Sequence, residues 1–290
     1  MKLRLLQATM LAVAASTTMQ AQTELYPGHF DLEQVTLLDG PMKTAMDKNF
    51  EVLMQYDIDR LLTPFVRQSG LSDKSGSDYY GWTARHPNFR NWGGDSNFDL
   101  SGHVGGHYLT ALSLAYAACH DADMKAQLKQ RLDYMVAVMK DCQDAYDADT
   151  EGLYGFIGGQ PINQSWKDLY AGKLSTIRGY WGWVPFYVQH KILAGLRDAY
   201  IYGGNSDARE VFRKLCDWSV NVIGKVSDSD LQSFLDCEHG GMNESMLDAY
   251  QLFGDEKYLT AATRYTHNIM LNGMQTLNTS FLDGKHANTQ

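Results

Sequence analysis

Three stretches of the chain repeat one plan, and that repeat limits the fold more than any other feature. Residues 106–139 (GHYLTALSLAYAACHDADMKAQLKQRLDYMVAVM), 190–223 (HKILAGLRDAYIYGGNSDAREVFRKLCDWSVNVI) and 243–270 (NESMLDAYQLFGDEKYLTAATRYTHNIM) each read as a helix, a short turn and a second amphipathic helix. The first helix of each carries an Ala-Tyr pair, at 115–116, 199–200 and 249–250. Asp121, Asn205 and Asp255 stand where a side-chain oxygen can accept from the free N–H groups of the following helix, and Gly203, Gly204 and Gly254 can end the preceding one. One helical hairpin cannot bury its own apolar face, so repeated hairpins must stack side by side, as a solenoid or as a toroid. The class is all-α. Long aromatic loops between the hairpins favour a toroid with its site at one mouth.

Those loops are 67–98, with Tyr79, Tyr80, Trp82, Phe89, Trp92 and Phe98 among Gly, Ser, Asp and Asn, and 147–183, with Tyr154, Phe156, Trp166, Tyr170, Tyr180, Trp181 and Trp183. Aromatic residues argue against disorder in stretches of this length, so both are expected to be ordered at the mouth of a site. With 17 Tyr and 6 Trp the chain suits stacking against sugar rings. A formal charge of −9 and the lack of a basic run speak against nucleic acid and anionic membrane as partners. Before the first loop, Pro41 fits the first position of a helix running to about Leu62.

Residues 1–22 read as a secretory signal peptide: Lys2 and Arg4 start it, Leu5 to Ala15 is mostly apolar, and the cut is expected after Ala21. No later stretch has the eighteen or so apolar residues that a membrane span requires. The expected location is secreted or periplasmic.

The candidate chemistry is sparse. His103 and His107 lie four apart on an expected helix start, where hydrogen-bonded structural roles are expected and a two-histidine metal site is the alternative. His190 follows the second aromatic loop at the start of a hairpin, open to substrate contact or to core packing. Cys237, Glu238, His239, Gly240, Gly241, Met242, Asn243 and Glu244 form the densest polar cluster, where glycines let the backbone approach a ligand. Its plain alternative is a helix cap by Asn243 or Glu244. Glu238 and Glu244 sit too close in sequence to face each other across a scissile glycosidic bond. No Ser/His/Asp arrangement, phosphate loop or dinucleotide fingerprint is present. The four Cys contain no CxxC, so no structural zinc site is read from them.

The segments FDLEQVTLLDGPMKTAMDKN (30–49), RLLTPFVRQSGL (60–71), YYGWTARHPNFRNW (79–92), GHVGGHYLTALSLAYA (102–117), HKILAGLRDAY (190–200), HGGMNESMLDAY (239–250), GDEKYL (254–259) and HANTQ (286–290) together resemble the β-L-arabinofuranosidase glycoside hydrolases of family 127 and the related family 146. The resemblance implies an (α/α)6-toroid catalytic domain followed by β-sandwich domains, and removal of terminal β-L-arabinofuranose from plant glycans or arabinosylated glycoproteins. It also implies a retaining mechanism in which a zinc-bound Cys thiolate attacks and a Glu is the acid/base. The Glu-x-Cys and Cys-Cys motifs that hold that zinc are absent here: Cys237 precedes Glu238, and no two Cys are neighbours. What the resemblance carries over is sugar binding, by His190 and His286, by His239, and by Asn243 and Glu244 as members of the motif.

The expectation is therefore a partial (α/α)6 toroid. Residues 23–290 would form the N-terminal portion of the catalytic domain, truncated before its zinc ligands, nucleophile and acid/base, and inactive alone. No catalytic or metal residue is expected within these 290 residues, and zinc belongs to the full-length enzyme. The partner expected is an arabinose-containing plant oligosaccharide or glycoprotein glycan. Two alternatives stand beside it: a carbohydrate-binding protein without turnover, and a toroid uronide hydrolase or lyase using Arg85, Arg90 and Arg178.

Overall fold

The computed structural model describes residues 30–77, 100–173, 184–236 and 239–282. Among them the regular structure is entirely helical, as the repeat requires. Eleven α-helices occur among the described residues: α1 (Pro41–Met54), α2 (Ile58–Gln68), α3 (His103–Ala118), α4 (Ala122–Asp144), α5 (Asn163–Tyr170), α6 (Pro185–Ile201), α7 (Ser206–Ile223), α8 (Asp228–Leu235), α9 (Met242–Phe253), α10 (Glu256–Arg264) and α11 (Asn268–Gln275). The signal-like residues 1–22 lie outside the described residues, as do Tyr79, Tyr80, Trp82, Phe89, Trp92, Phe98, Tyr180, Trp181 and Trp183. No helix among the described residues is long and apolar enough to cross a membrane.

The hairpin turns are set by local chemistry. Asp121 accepts from the Met124 N–H at 2.8 Å, Asn205 from Ala208 at 2.9 Å and Asp255 from Lys257 at 3.0 Å, so each second helix begins on the residue expected to cap it. Gly204 and Gly254 end their helices in the left-handed region, at φ 63° and 70°. Gly203 serves differently: a Cβ there would stand 2.6 Å from the Ala199 carbonyl. The Ala-Tyr pairs also find a reason. Ala115, Ala199 and Ala249 are buried, while each tyrosine leans on the first turn of its own second helix. Lys125 lies 4.9 Å from the Tyr116 ring, Arg209 lies 5.8 Å from Tyr200, and Tyr250 donates to Glu256 at 3.2 Å.

The hairpins stack in two layers. First helices α1, α3, α6 and α9 pack in that order, and second helices α2, α4, α7 and α10 pack in the same order behind them. The stack therefore contains a fourth hairpin, α1–α2, ahead of the three visible as repeats. The expected single helix from Pro41 to Leu62 is broken at Gln55–Asp57, where Asp57 accepts from the Arg60 N–H and starts α2. Pro64 inside α2 hides this helix from a pattern reading, because proline usually marks a helix end.

The tightest joint is between α3 and α6. They run parallel, with His103 beside Tyr187, Gly106 beside Lys191 and Leu109 beside Gly195. A Cβ on Gly195 would lie 2.6 Å from the Gly106 carbonyl oxygen, and one on Gly106 would run into the Lys191 carbonyl. Because α9 also runs parallel to α6, the N-terminal turns of α3, α6 and α9 meet at one end of the stack.

The second aromatic stretch is only partly a loop. It contains α5, and Phe156 and Trp166 are buried rather than held at a mouth. Trp166 packs 4.9 Å from Trp218 and 5.8 Å from Phe186, ring centre to ring centre, and Phe156 packs 4.7 Å from Trp218. Turns at Gly152 and Gly155, both with positive φ, fold the stretch onto α7, where Trp218 Nε1 donates to the Gly152 carbonyl. Tyr154 alone of the described aromatics in this stretch is exposed.

Candidate sugar-binding site

The site is built where the three parallel helices begin. From α3 come His103 and His107, whose rings stand 5.9 Å apart. His103 is buried and its Nδ1 lies 2.8 Å from the Leu100 carbonyl, the structural role expected of it. His107, one turn on, is open to solvent. From α6 come Tyr187, His190 and Lys191. The helix starts at Pro185, so His190 lies in its second turn, not at the hairpin's first residue. Lys191 Nζ rests 4.7 Å from the Tyr187 ring.

The corner His239–Gly241 and the first turn of α9 close the other side. Gly240, at φ 59°, and Gly241 have no Cβ because the His190 ring fills that space: a Cβ on Gly240 would stand 2.8 Å from His190 Nδ1, and one on Gly241 2.8 Å from Nε2 and 2.9 Å from Glu244 Oε2. His190 Nε2 faces Glu244 Oε2 at 4.0 Å, with the imidazole only 13% exposed and the carboxylate 70% exposed. His190 Nδ1 is buried without a hydrogen-bond partner. The proton of the neutral ring therefore belongs on Nε2, toward the carboxylate and the mouth.

About two turns further along α6, Arg197 sits between two acids. Its Nη1 donates to Asp198 Oδ1 at 2.7 Å, and its Nε lies 3.2 Å from Asp248 Oδ2 on α9, an ion pair without hydrogen-bond alignment.

The electrostatics keep the imidazoles uncharged. Burial, aided by the charge of Lys191 and by His107 and His239, pushes His190 down to about 3. Burial pushes His103 down to about 4, against its bond to Leu100. His107 is lowered by burial and by Lys191, and Lys191 is itself lowered by burial, against the pull of Glu244. His107 is open to solvent on one side, and the surrounding protein and Lys191 lower it from the other. Toward a sugar hydroxyl, His190 can offer its Nε2–H and His107 its open ring, and Glu244 adds an exposed acceptor.

The family model for the β-L-arabinofuranosidase GH127 catalytic domain matches residues 34–290. The chain belongs to that family. A comparison with curated proteins finds no match. A GH127 domain supports a glycosidase, with a carbohydrate substrate.

For a GH127 domain, the described part of the mouth joins three of the residues singled out from sequence: His190, His239 and Glu244. Asn243 sits beside them but turns to its own backbone, accepting from the Glu244 N–H at 3.0 Å; α9 starts on Gly241 without a side-chain cap, so neither Asn243 nor Glu244 caps it. His286, Cys237, Glu238, Arg85, Arg90 and Arg178 lie outside the described residues. Sequence reasoning assigned nothing to Tyr187 and Lys191 and gave His107 no place at the mouth. Their positions depend on how closely α3 approaches α6.

Zinc held by thiolates does not fit the described residues. No group of three or more His, Cys, Asp or Glu among them is arranged to hold a metal ion. Cys119, Cys142 and Cys216 are buried, with burial pushing Cys142 up to about 11 and Cys216 well above its ordinary range. A metal-held or nucleophilic thiol needs the opposite shift.

The buried imidazoles have a measurable consequence. Between pH 4 and 6 the unfolded chain carries protons on His103 and His190, with ordinary values of 6.5, and none on Asp248, with an ordinary value of 3.8. The folded chain carries one, on Asp248, which burial raises to about 6. The unfolded state thus holds one proton more, so these groups lower stability by about 1.4 kcal/mol for each pH unit of acidification across that window. Denaturant unfolding at pH 6 and pH 4.5 tests this; equal stability at the two values rules out neutral buried imidazoles.

Proposed function

We propose that the chain supplies the sugar-binding half of a glycosidase that removes terminal β-L-arabinofuranose from plant oligosaccharides or glycoprotein glycans. The convergence of His107, His190 and Glu244 against the bare backbone of Gly240–Gly241 carries this reading. A small, hydroxyl-rich furanose needs donors and acceptors at close quarters, and backbone without side chains lets the ring approach. His239 contributes by holding the corner, and His286 joins the same set through the resemblance of HANTQ. Glu244 is the lone carboxylate of the described mouth, whereas hydrolysis by the usual route needs two flanking the bond. In this reading the zinc, the nucleophilic thiolate and the acid/base carboxyl act from sequence beyond these 290 residues. The basic and apolar opening of residues 1–22 supports export, to the periplasm or outside the cell.

The purified chain is expected to bind methyl β-L-arabinofuranoside saturably, with His190→Ala weakening the affinity by about tenfold, near the loss of one hydrogen bond to a neutral partner. Calorimetry measures this. It is also expected to release no L-arabinose, with or without added zinc. Release that depends on zinc would place the nucleophile inside the chain. Binding without turnover also fits a carbohydrate-binding protein, the reading favoured by a mouth with one carboxylate; activity of a longer chain carrying the Glu-x-Cys and Cys-Cys motifs separates the two.

A further inference from the structure

We propose that His267, which precedes α11 and stands outside the mouth, is a positioning residue that acts through His239 on the Gly240–Gly241 corner and so sets the seat of His190. The proposal rests on the sugar-binding reading of that mouth, and it stands on a connected series of contacts. His267 is 6% exposed, and its Nε2 lies 3.1 Å from Asp236 Oδ1 at the end of α8. A carboxylate only accepts, so Nε2 carries the proton and the ring is held in one orientation. In that orientation the His267 ring meets the His239 ring edge to face, 5.5 Å between centres and 84° between planes. His239 is itself buried, and its Nδ1 donates to the Leu235 carbonyl at 3.0 Å. The two imidazoles brace each other against the end of α8.

The next two residues are the glycines against which His190 lies. With no side chain at Gly240 or Gly241, the backbone itself is the wall behind both nitrogens of that ring. Moving the corner outward would admit water to His190 Nδ1, which is buried without a partner, and would separate Nε2 from Glu244. A fraction of an ångström at His239 is therefore read at the sugar-facing nitrogen.

The segment carrying His267 does not depend on its ring for attachment. Gln232 of α8 donates to the Arg264 and Thr266 carbonyls and accepts from the Asn268 N–H, clamping the chain on both sides of His267. A substitution at 267 is thus expected to leave the backbone path in place while removing the brace.

The test uses the 290-residue chain and two variants, His267→Ala and Asp236→Ala, the second removing the acceptor for His267 Nε2 from a half-exposed side chain. The titration of His190 is followed by NMR, and affinity for methyl β-L-arabinofuranoside by calorimetry. Both variants should raise the His190 midpoint by at least one pH unit and weaken the arabinoside by about tenfold, as expected of a misplaced binding group. His267→Gln, which can still donate to Asp236, should restore most of both. Unchanged His190 titration in the two alanine variants overturns the proposal, even where the unfolding temperature falls. A wild-type chain that binds no arabinoside while the variants still shift His190 counts against the sugar reading alone.

Discussion

Gly106→Ala is expected to destabilise the chain by at least about 2 kcal/mol, although helix propensity alone predicts a gain of about 1 kcal/mol from replacing a mid-helix glycine. The sign is decided by what the new methyl group meets. It would run into the Lys191 carbonyl and lie 2.7 Å from the Ile192 nitrogen, both backbone atoms of a packed helix that cannot swing aside as a side chain can. Relief requires α3 and α6 to separate. Because His107 on one helix and Tyr187, His190 and Lys191 on the other meet only through this approach, separation also opens the mouth. Thermal unfolding should fall by about 4–8 °C, the scaling for a chain of this size, and arabinoside affinity should fall with it. Gly195→Ala should act in the same direction, since its methyl group meets the Gly106 carbonyl across the same joint. An unfolding temperature equal to or above that of the wild type in either variant would mean that the helices are not in backbone contact.

This joint also marks what the sequence could and could not reveal. N-caps are legible because they depend on residues three or four apart, and Asp121, Asn205 and Asp255 stand where their chemistry requires. The Ala-Tyr pairs are legible because each hairpin solves the same local problem, a small residue at the inner contact and an aromatic against the next helix. Gly106 and Gly195 carry the opposite signal: inside a helix, glycine reads as a weakness until a partner helix is placed against it. Phe156 and Trp166 were expected at the mouth because they occur among glycines without a helical period. Positive φ at Gly152 and Gly155 instead turns that stretch inward, and hydrophobic burial takes the large rings. In the site, His239 and Glu244 stood out as polar residues around paired glycines and His190 as the opening of a hairpin after an aromatic loop, its sugar-binding role coming from the family resemblance, whereas Lys191 and Tyr187 have no pattern that separates them from a solvated helix face. Only the register of α3 on α6 brings them to the imidazoles.

Arg197→Met is expected to be the most damaging single change among the charged groups, costing about 3 kcal/mol near neutral pH, at the lower end for breaking a buried charge pair because the site keeps some exposure. Arg197, Asp198 and Asp248 are 19%, 8% and 15% exposed, and the single guanidinium serves two carboxylates. Burial, with the negative charge of Glu244 and Asp198, already raises Asp248 to about 6 despite Arg197, and burial raises Asp198 as well. Without the guanidinium both carboxyls hold their protons to higher pH. An acid whose folded value lies above its unfolded value loses stability as pH rises through that range, so the deficit of the variant should widen from pH 5 to pH 8. Arg197→Met combined with Asp248→Leu should recover a large part of the loss, because one orphaned carboxylate is gone and apolar groups then fill the gap between α6 and α9. Denaturant unfolding of the two single variants and the double variant at both pH values measures the coupling; a deficit independent of pH, or strict additivity, would remove the buried pair from the account. The pair bears on the site through register. Asp248 is one turn beyond Glu244 on α9 and Arg197 about two turns beyond His190 on α6, so the contact that pins the helices together is the one that holds Glu244 within 4.0 Å of His190. Loss of Arg197 should therefore weaken arabinoside binding at pH 7 even in the fraction of chains that remains folded.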